Sequence, residues 1–402
     1  MISISRKYTD VFIILLVIFS INIFSVKFAT EGILKSIGYA YQLGAIVISL
    51  PFIFRKSEGF ILPLQLISIS IAFSIVMAYF SWGQGVVHSM STTPYLIWFV
   101  FFYLLHIRYP MHMIEKIIIS YGFIYMILFL FQFTHSDTVY FGFKDEFTID
   151  RGIIRINFPG AGVFFLSYFI SVNRSVEKSK FRWIYITFII MGIAVTFLQV
   201  TRQNIALVML VPLFHYLKRV TLPWKVATLA FFAGAMLLLL YSDNPVSKGL
   251  IETQKETVAD GDQYIRVLAA DYFLTDFSPN TLSRVLGNGF PNNTSDYGKY
   301  TIYLGDTYGY FLTDLGFIGF YIMFGILPVI GYLIIFIRGL LMRIPEDYQY
   351  LKYYLAFLLL TCLTSDYTYS MYFIFSNVCV LYCLQLIYEQ NKIAREYNTQ
   401  LP

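Results

Sequence analysis

The chain has 402 residues, of which 57% are apolar and 13% charged, and its mean hydropathy is +0.65. A water-soluble protein of this length carries about twice that charged fraction, so a soluble globular fold is excluded. The net charge of +5 is divided unevenly among the loops and says nothing for nucleic acid.

The apolar residues come in blocks that match the roughly 20 residues needed to cross a bilayer as a helix. They predict twelve spans, at about 10–27, 37–54, 60–80, 93–107, 113–133, 158–173, 182–200, 203–217, 223–241, 307–337, 350–364 and 368–388. Apolarity along them is continuous and not alternating, which excludes barrel strands and leaves helices as the only spanning form. The expectation is an all-α polytopic membrane protein forming a single domain over 1–402. The first block, from Val11 to about Val26, has no small-residue cleavage site after it and reads as a span, not a signal peptide. Cys362, Cys379 and Cys383 lie in the last two blocks. An odd number in apolar surroundings points to helix packing, not to disulfides or a metal site.

Lysine and arginine set the expected orientation. One set of loops, from Arg6 and Lys7 through Arg55, Arg108, Arg174, Lys218 and Arg338 to Arg395, holds 18 of the 29 basic residues with 8 acids. The other set holds 11 basic and 16 acidic residues. By the positive-inside rule the first set, with both termini, is cytoplasmic. Two loops on the opposite, outer side are long: about Thr134–Asn157 and about Ser242–Asp306. Loops beyond about 15 residues are usually functional or disordered. The second contains an amphipathic helical pattern at Asp262–Phe277, with Ile265, Leu268, Ala269, Tyr272 and Phe273 on one face. Such a helix could lie on the membrane surface or cap the bundle.

The 35 residues Trp183–Leu217 carry one formal charge, Arg202. As one helix they would extend about 52 Å, well beyond a ~30 Å apolar core, so two helices meeting at a tight outer turn are expected. Arg202 then sits at the outer membrane edge beside Gln203 and Asn204. A charge there is either functional or snorkels to the headgroups. Arg266 lies on the polar side of the loop helix, Arg155 ends a charged segment just before Phe158-Pro159-Gly160, and Arg284 comes later in the large loop. Guanidinium groups bind phosphate oxygens bidentately and keep their charge.

Glycine punctuates the stretch from 287 to 319, in Gly287-Asn288-Gly289-Phe290, then Gly305-Asp306-Thr307-Tyr308-Gly309, then Asp314-Leu315-Gly316-Phe317-Ile318-Gly319. The glycines suit close helix packing. Asp306 is expected at the N-terminus of the tenth span, where it could cap the helix or take a proton from a sugar hydroxyl. Asp314, eight residues on, is expected to face the bundle interior. The five histidines have no metal spacing. No Walker loop, nucleophile elbow or paired Asp-x-Asp is present, which argues against ATP or a nucleotide-sugar donor.

From about 183 to 325 the chain resembles the O-antigen polymerase and O-antigen ligase superfamily. The resemblance lies in Thr201-Arg202-Gln203, in Ile265-Arg266-Val267 leading to Gly287-Asn288-Gly289-Phe290, and in Gly305-Asp306-Thr307-Tyr308-Gly309 through Gly316-Phe317-Ile318-Gly319. Ligases typically begin that last segment with His-Asn. Here Gly305 and Asp306 stand at those positions, which favours polymerase over ligase. The resemblance implies a GT-C-like helical fold, no metal or other cofactor, and a donor glycan on undecaprenyl diphosphate in the bacterial cytoplasmic (inner) membrane. The acceptor would be a second lipid-linked repeat unit, and a chain-length regulator could be a further partner. Arg202 and Arg266 would hold the diphosphate with Arg155 assisting, and Asp306 would be the base. Gln203, Asn204, Arg284, Tyr308 and Asp314 would complete the substrate-binding set. The alternatives are transfer to lipid A-core by a ligase, and a lipid-linked oligosaccharide flippase.

Overall fold

Glycine and proline positions decide where the helices stop and start. The computed structural model describes residues 6–21, 31–141, 147–150, 153–156, 158–176, 181–199, 201–218 and 264–400, with scattered positions between 221 and 234. The expected ninth span, 223–241, falls largely outside them, as does the large loop before 264.

The first helices are α1 (Arg6–Ser20), α2 (Glu31–Ser49) and α3 (Ile61–Trp82). Gly83 ends α3 in the left-handed conformation and returns its N–H to Ala78 and Tyr79, the usual way of closing orphan carbonyls. Next come α4 (Val86–Ile107) and α5 (Met111–Thr134). The first of these begins earlier than its apolar block and winds as a 3-10 helix over Met90–Phe99, around Pro94. Among the described residues five helices are long and apolar enough to cross a membrane, namely Ile33–Phe52, Ile61–Trp82, Val86–Ile107, Met111–Thr134 and Met371–Tyr397. The chain is therefore a membrane-embedded, predominantly helical protein.

A two-stranded hairpin departs from the all-helical expectation. β1 (Phe147–Asp150) pairs antiparallel with β2 (Ile153–Ile156), Thr148 opposite Arg155. β-branched residues flanking Arg151-Gly152 are a hairpin signal, and it lies in the first of the two long loops.

The packing centre is α6 (Ala161–Arg174), a helix of 14 residues buried on all sides. Small residues let its neighbours close on it. A Cβ on Gly122 of α5 would lie 2.0 Å from Ser167 Oγ, and one on Gly162 would lie 2.4 Å from Ser376 Oγ. α7 (Arg182–Leu198) and α8 (Arg202–Leu217) come next, the pair expected from the single block Trp183–Leu217. The large loop emerges into α9 (Ile265–Thr275), α10 (Thr281–Leu286) and α11 (Asp296–Tyr308). α9 is the expected amphipathic helix. It buries Ala269 and Phe273 and packs on the segment after α11, so it caps the bundle.

The tenth span is not the continuous helix expected over 307–337. A 3-10 turn, Leu312–Leu315, leads to α12 (Phe317–Phe324), and a break at Gly325 leads to α13 (Ile326–Leu341). Gly316 (φ 51°) and Gly325 (φ 85°) take conformations that a side chain would resist. The break opens the carbonyls at the end of α12, and Gly287-Asn288-Gly289 fills it. Asn288 N donates to Ile322 O at 2.9 Å, Gly289 N to Met323 O at 2.8 Å, and Ser70 Oγ to Phe324 O at 2.7 Å. Asn288 is fully buried and also accepts from Trp82 Nε1 at 2.9 Å. α14 (Tyr350–Thr361) and α15 (Met371–Gln400) complete the chain. The three cysteines are free and buried.

One end of the bundle is braced by ion pairs from the lysine- and arginine-rich loops. Arg174 Nη2 reaches both oxygens of Glu115 at 2.8 and 3.1 Å. Arg108 pairs with Glu389, and Lys392 with Glu58 at 2.6 Å.

Gly287 tests the account of the break. It has φ 88°, and a Cβ there would lie 2.5 Å from Met323 O. Gly287→Ala should lower stability by about 1–3 kcal/mol, read as a lower thermal midpoint of the detergent-solubilised protein. Gly44→Ala in α2, where a Cβ meets nothing within 4 Å, should leave the midpoint unchanged or slightly raised.

Candidate functional site

The end of the bundle opposite those ion pairs gathers most of the residues singled out from the sequence. It begins at the turn between α7 and α8. Thr201 is extended and makes no side-chain cap, and the first turn of α8 contains no acid. Arg202 therefore opens a helix whose own first turn supplies no carboxylate to its positive dipole end. Gln203 ties this end to its neighbour. Its Nε2 donates to Leu360 O and its Oε1 accepts from Thr364 Oγ1 at 2.7 Å. Asn204 is only 3% exposed. Its Nδ2 donates to Tyr367 OH at 2.8 Å, while its Oδ1 has no hydrogen-bond partner among the described residues.

Leu360, Thr364 and Tyr367 belong to the end of α14 and the loop 362–370. That loop also holds the turn before α12. Cys362 O accepts from Phe317 N at 2.7 Å, and Tyr369 OH donates to Leu312 O at 3.2 Å. Asp314 lies in this turn. Its carboxylate is exposed and does not face the bundle interior as expected, because the chain has left helical geometry at Gly309. Asp314 Oδ2 lies 3.7 Å from Nη2 of Arg266, which is on α9.

Loop 362–370 brings one residue the sequence reading passed over. Asp366 is half-buried, and desolvation pushes its carboxyl up to about 7. The Asp314 charge adds to the rise, and a hydrogen bond from the Ser370 hydroxyl opposes it. A signal was present. Asp366 is the lone acid between Asp347 and Glu389, in the polar run Thr364-Ser365-Asp366 between two apolar helices. The run was too short to stand out against the long loops.

The other expected residues stand differently. Asp306 lies in the last turn of α11, an outer helix ending at Tyr308, and not at the start of a span. The negative end of a helix dipole repels an acid, so capping does not account for it. Its side chain is exposed and makes no polar contact among the described residues. Tyr308 is exposed in the same turn, edge-on to Tyr303 and beside Tyr310. Arg284 donates to Thr275 O at 2.7 Å, closing the end of α9, and stands apart from the cluster. Arg155 is on β2, and its side chain lies outside the described residues. Among the described residues, no three His, Cys, Asp or Glu side chains gather where they could share an ion. No protein-family model matches the chain, and no curated protein matches it.

The geometry thus joins the N-terminus of α8, loop 362–370, the Asp314 turn and Arg266 into one polar surface. Its titration is directly visible. A protonated carboxyl band in the infrared difference spectrum should appear as pH falls through about 7 and should be missing in Asp366→Asn.

Proposed function

We propose that the chain is a polysaccharide polymerase of the bacterial cytoplasmic membrane, with a GT-C-like fold of about twelve spans and both termini cytoplasmic. It would transfer a growing glycan from undecaprenyl diphosphate to the end sugar of a second lipid-linked repeat unit on the outer face. The observation that carries this reading is that the start of α8, where Arg202 lies, is tied to loop 362–370, which holds the half-buried Asp366, and that this loop is tied in turn to the Asp314 turn facing Arg266. These segments lie at the end of the bundle away from the basic, ion-paired loops, a division that agrees with the positive-inside rule. Fixed cations and a proton acceptor on one surface are the groups that transfer from a lipid diphosphate would require.

The chemistry comes from the groups themselves. The acceptor hydroxyl oxygen attacks the anomeric carbon, its proton passes to a carboxylate, and the diphosphate leaves with the bond electrons. Charge grows on the diphosphate as the bond breaks, so guanidinium groups stabilise the transition state more than the ground state. A base serves best when its proton affinity lies near working pH. By that criterion Asp366 is the base candidate, while Asp306 stands on α11, outside this surface. A direct attack by the acceptor hydroxyl would invert the anomeric centre. No step calls for a metal. Gly305, where ligases have histidine, keeps the polymerase reading ahead of the ligase one.

Arg202→Ala and Arg266→Ala should each abolish long glycans while protein remains in the membrane. Lysine at either position should rescue poorly, since an ammonium keeps the charge but loses the bidentate fork. Charged hydrogen bonds are worth roughly 1.5–3 kcal/mol each, so each loss should slow the reaction about ten- to a hundredfold. Lys299→Ala, which removes an exposed pair with Asp296, should do little. A polymerase defect leaves single repeat units on lipid A-core. A ligase defect leaves none and accumulates lipid-linked polymer, and a flippase defect holds the units inside. Normal chain length in both arginine variants would reject the reading.

A further inference from the structure

Arg266 makes no hydrogen bond among the described residues. Its ionic partner, Asp314, is 3.7 Å away, beyond hydrogen-bond reach. The two side chains are 36% and 52% exposed, and exposed pairs of this kind are weak because water screens them. The contrast with the other end of the bundle is direct: there Arg174 grips Glu115 at 2.8 Å with both side chains mostly buried. The Arg266–Asp314 pair is therefore exchangeable where the Arg174–Glu115 pair is not.

The backbone under Asp314 cannot move away with its side chain. Cys362 O and the Tyr369 hydroxyl hold the turn on both sides of it, and a Cβ on Gly316 would lie 2.0 Å from Cys362 O. A carboxylate turned away from Arg266 thus stays at the rim of the same surface and can return. A diphosphate carries more charge and more acceptor oxygens than a carboxylate, enough to engage the guanidinium fork bidentately.

We propose that Asp314 is a positioning residue that occupies the anion seat of Arg266 until a diphosphate displaces it, and that its return helps to expel the diphosphate product. The seat then discriminates by charge: a weakly charged anion does not outcompete the tethered carboxylate. This rests on Arg266 being the diphosphate ligand of the proposed reaction.

The test is equilibrium binding of farnesyl diphosphate and farnesyl monophosphate to the full chain in nanodiscs. The proteins are wild type, Asp314→Asn, Asp314→Ala, Arg266→Ala and Arg266→Ala/Asp314→Asn, each checked for monodispersity. Because the Asp314 side chain makes no hydrogen bond among the described residues, neither of its variants should disturb folding. Both should bind the diphosphate at least about fivefold more tightly, and the monophosphate should gain proportionally more. In the Arg266→Ala background the Asp314 substitution should have little effect. Asp314→Asn should also shift the infrared titration of Asp366 downward, since it removes one like charge. The other groups facing Asp366, namely Tyr95, Tyr369 and the Ser370 hydroxyl, are unchanged. Unchanged or weaker diphosphate binding in both Asp314 variants overturns the proposal. Equal tightening with and without Arg266 also overturns it, since that would be repulsion through space without exchange. Tightening that depends on Arg266, combined with normal glycan length in Arg266→Ala cells, would keep the seat and reject the polymerase.

Discussion

A helix that stops inside an apolar bundle leaves carbonyls with no water to meet, and each costs several kcal/mol if it stays open. At the end of α12 this cost is removed by the backbone of Asn288 and Gly289 and the hydroxyl of Ser70. The segment after the large loop is thereby sewn into the bundle between α3 and α12. Everything beyond it depends on that seam. α9 packs on α12 and on the turn before it, so Arg266 meets Asp314 only while the seam holds. Gly287 and Gly325 approach each other too closely for a Cβ on either. The glycine motif is best understood as the structural support of the site and not as part of its ligand surface.

The two ends of the bundle use charge differently. At the basic end Arg108, Arg174 and Lys392 each have a close carboxylate, and Arg338 donates to Gly59 O. These cations hold helices together. At the other end, among the described residues, Arg266 has a distant partner and Asn204 Oδ1 has none, while burial raises the Asp366 carboxyl to about 7. Groups left under-satisfied in this way are the ones a ligand can satisfy. A polymerase of lipid-linked glycans needs such a surface facing the compartment where its substrate's diphosphate lies.

Much of the fold was legible because long apolar blocks leave helices little alternative. The turn at Thr201-Arg202 came from length alone, since 35 nearly uncharged residues cannot form one span. The helix Ile265–Thr275 came from its apolar period. The broken tenth span was not legible. Its residues are as apolar as those of any continuous helix, and the break depends on Gly316 and Gly325 finding partners far away in sequence, at Cys362 and Leu286. Asp306 was misplaced for the same reason, because a helix boundary was drawn through a segment that folds as two. Asp366 was missed because its importance comes from burial in the folded loop and from the nearby Asp314 charge, which no local pattern reveals. Strands β1 and β2 were not legible from charge, since the loop's acids and bases mask the short runs of β-branched residues that form them.

Reconstitution puts the most weight on the least material. The purified chain would be placed in vesicles whose only other component is the repeat unit on undecaprenyl diphosphate, and the lipid products would be resolved by size. The account predicts a ladder of longer glycans and the release of one undecaprenyl diphosphate for every new linkage. Repeat units that cross the bilayer without being joined, or that remain unchanged while the protein is folded, would contradict it.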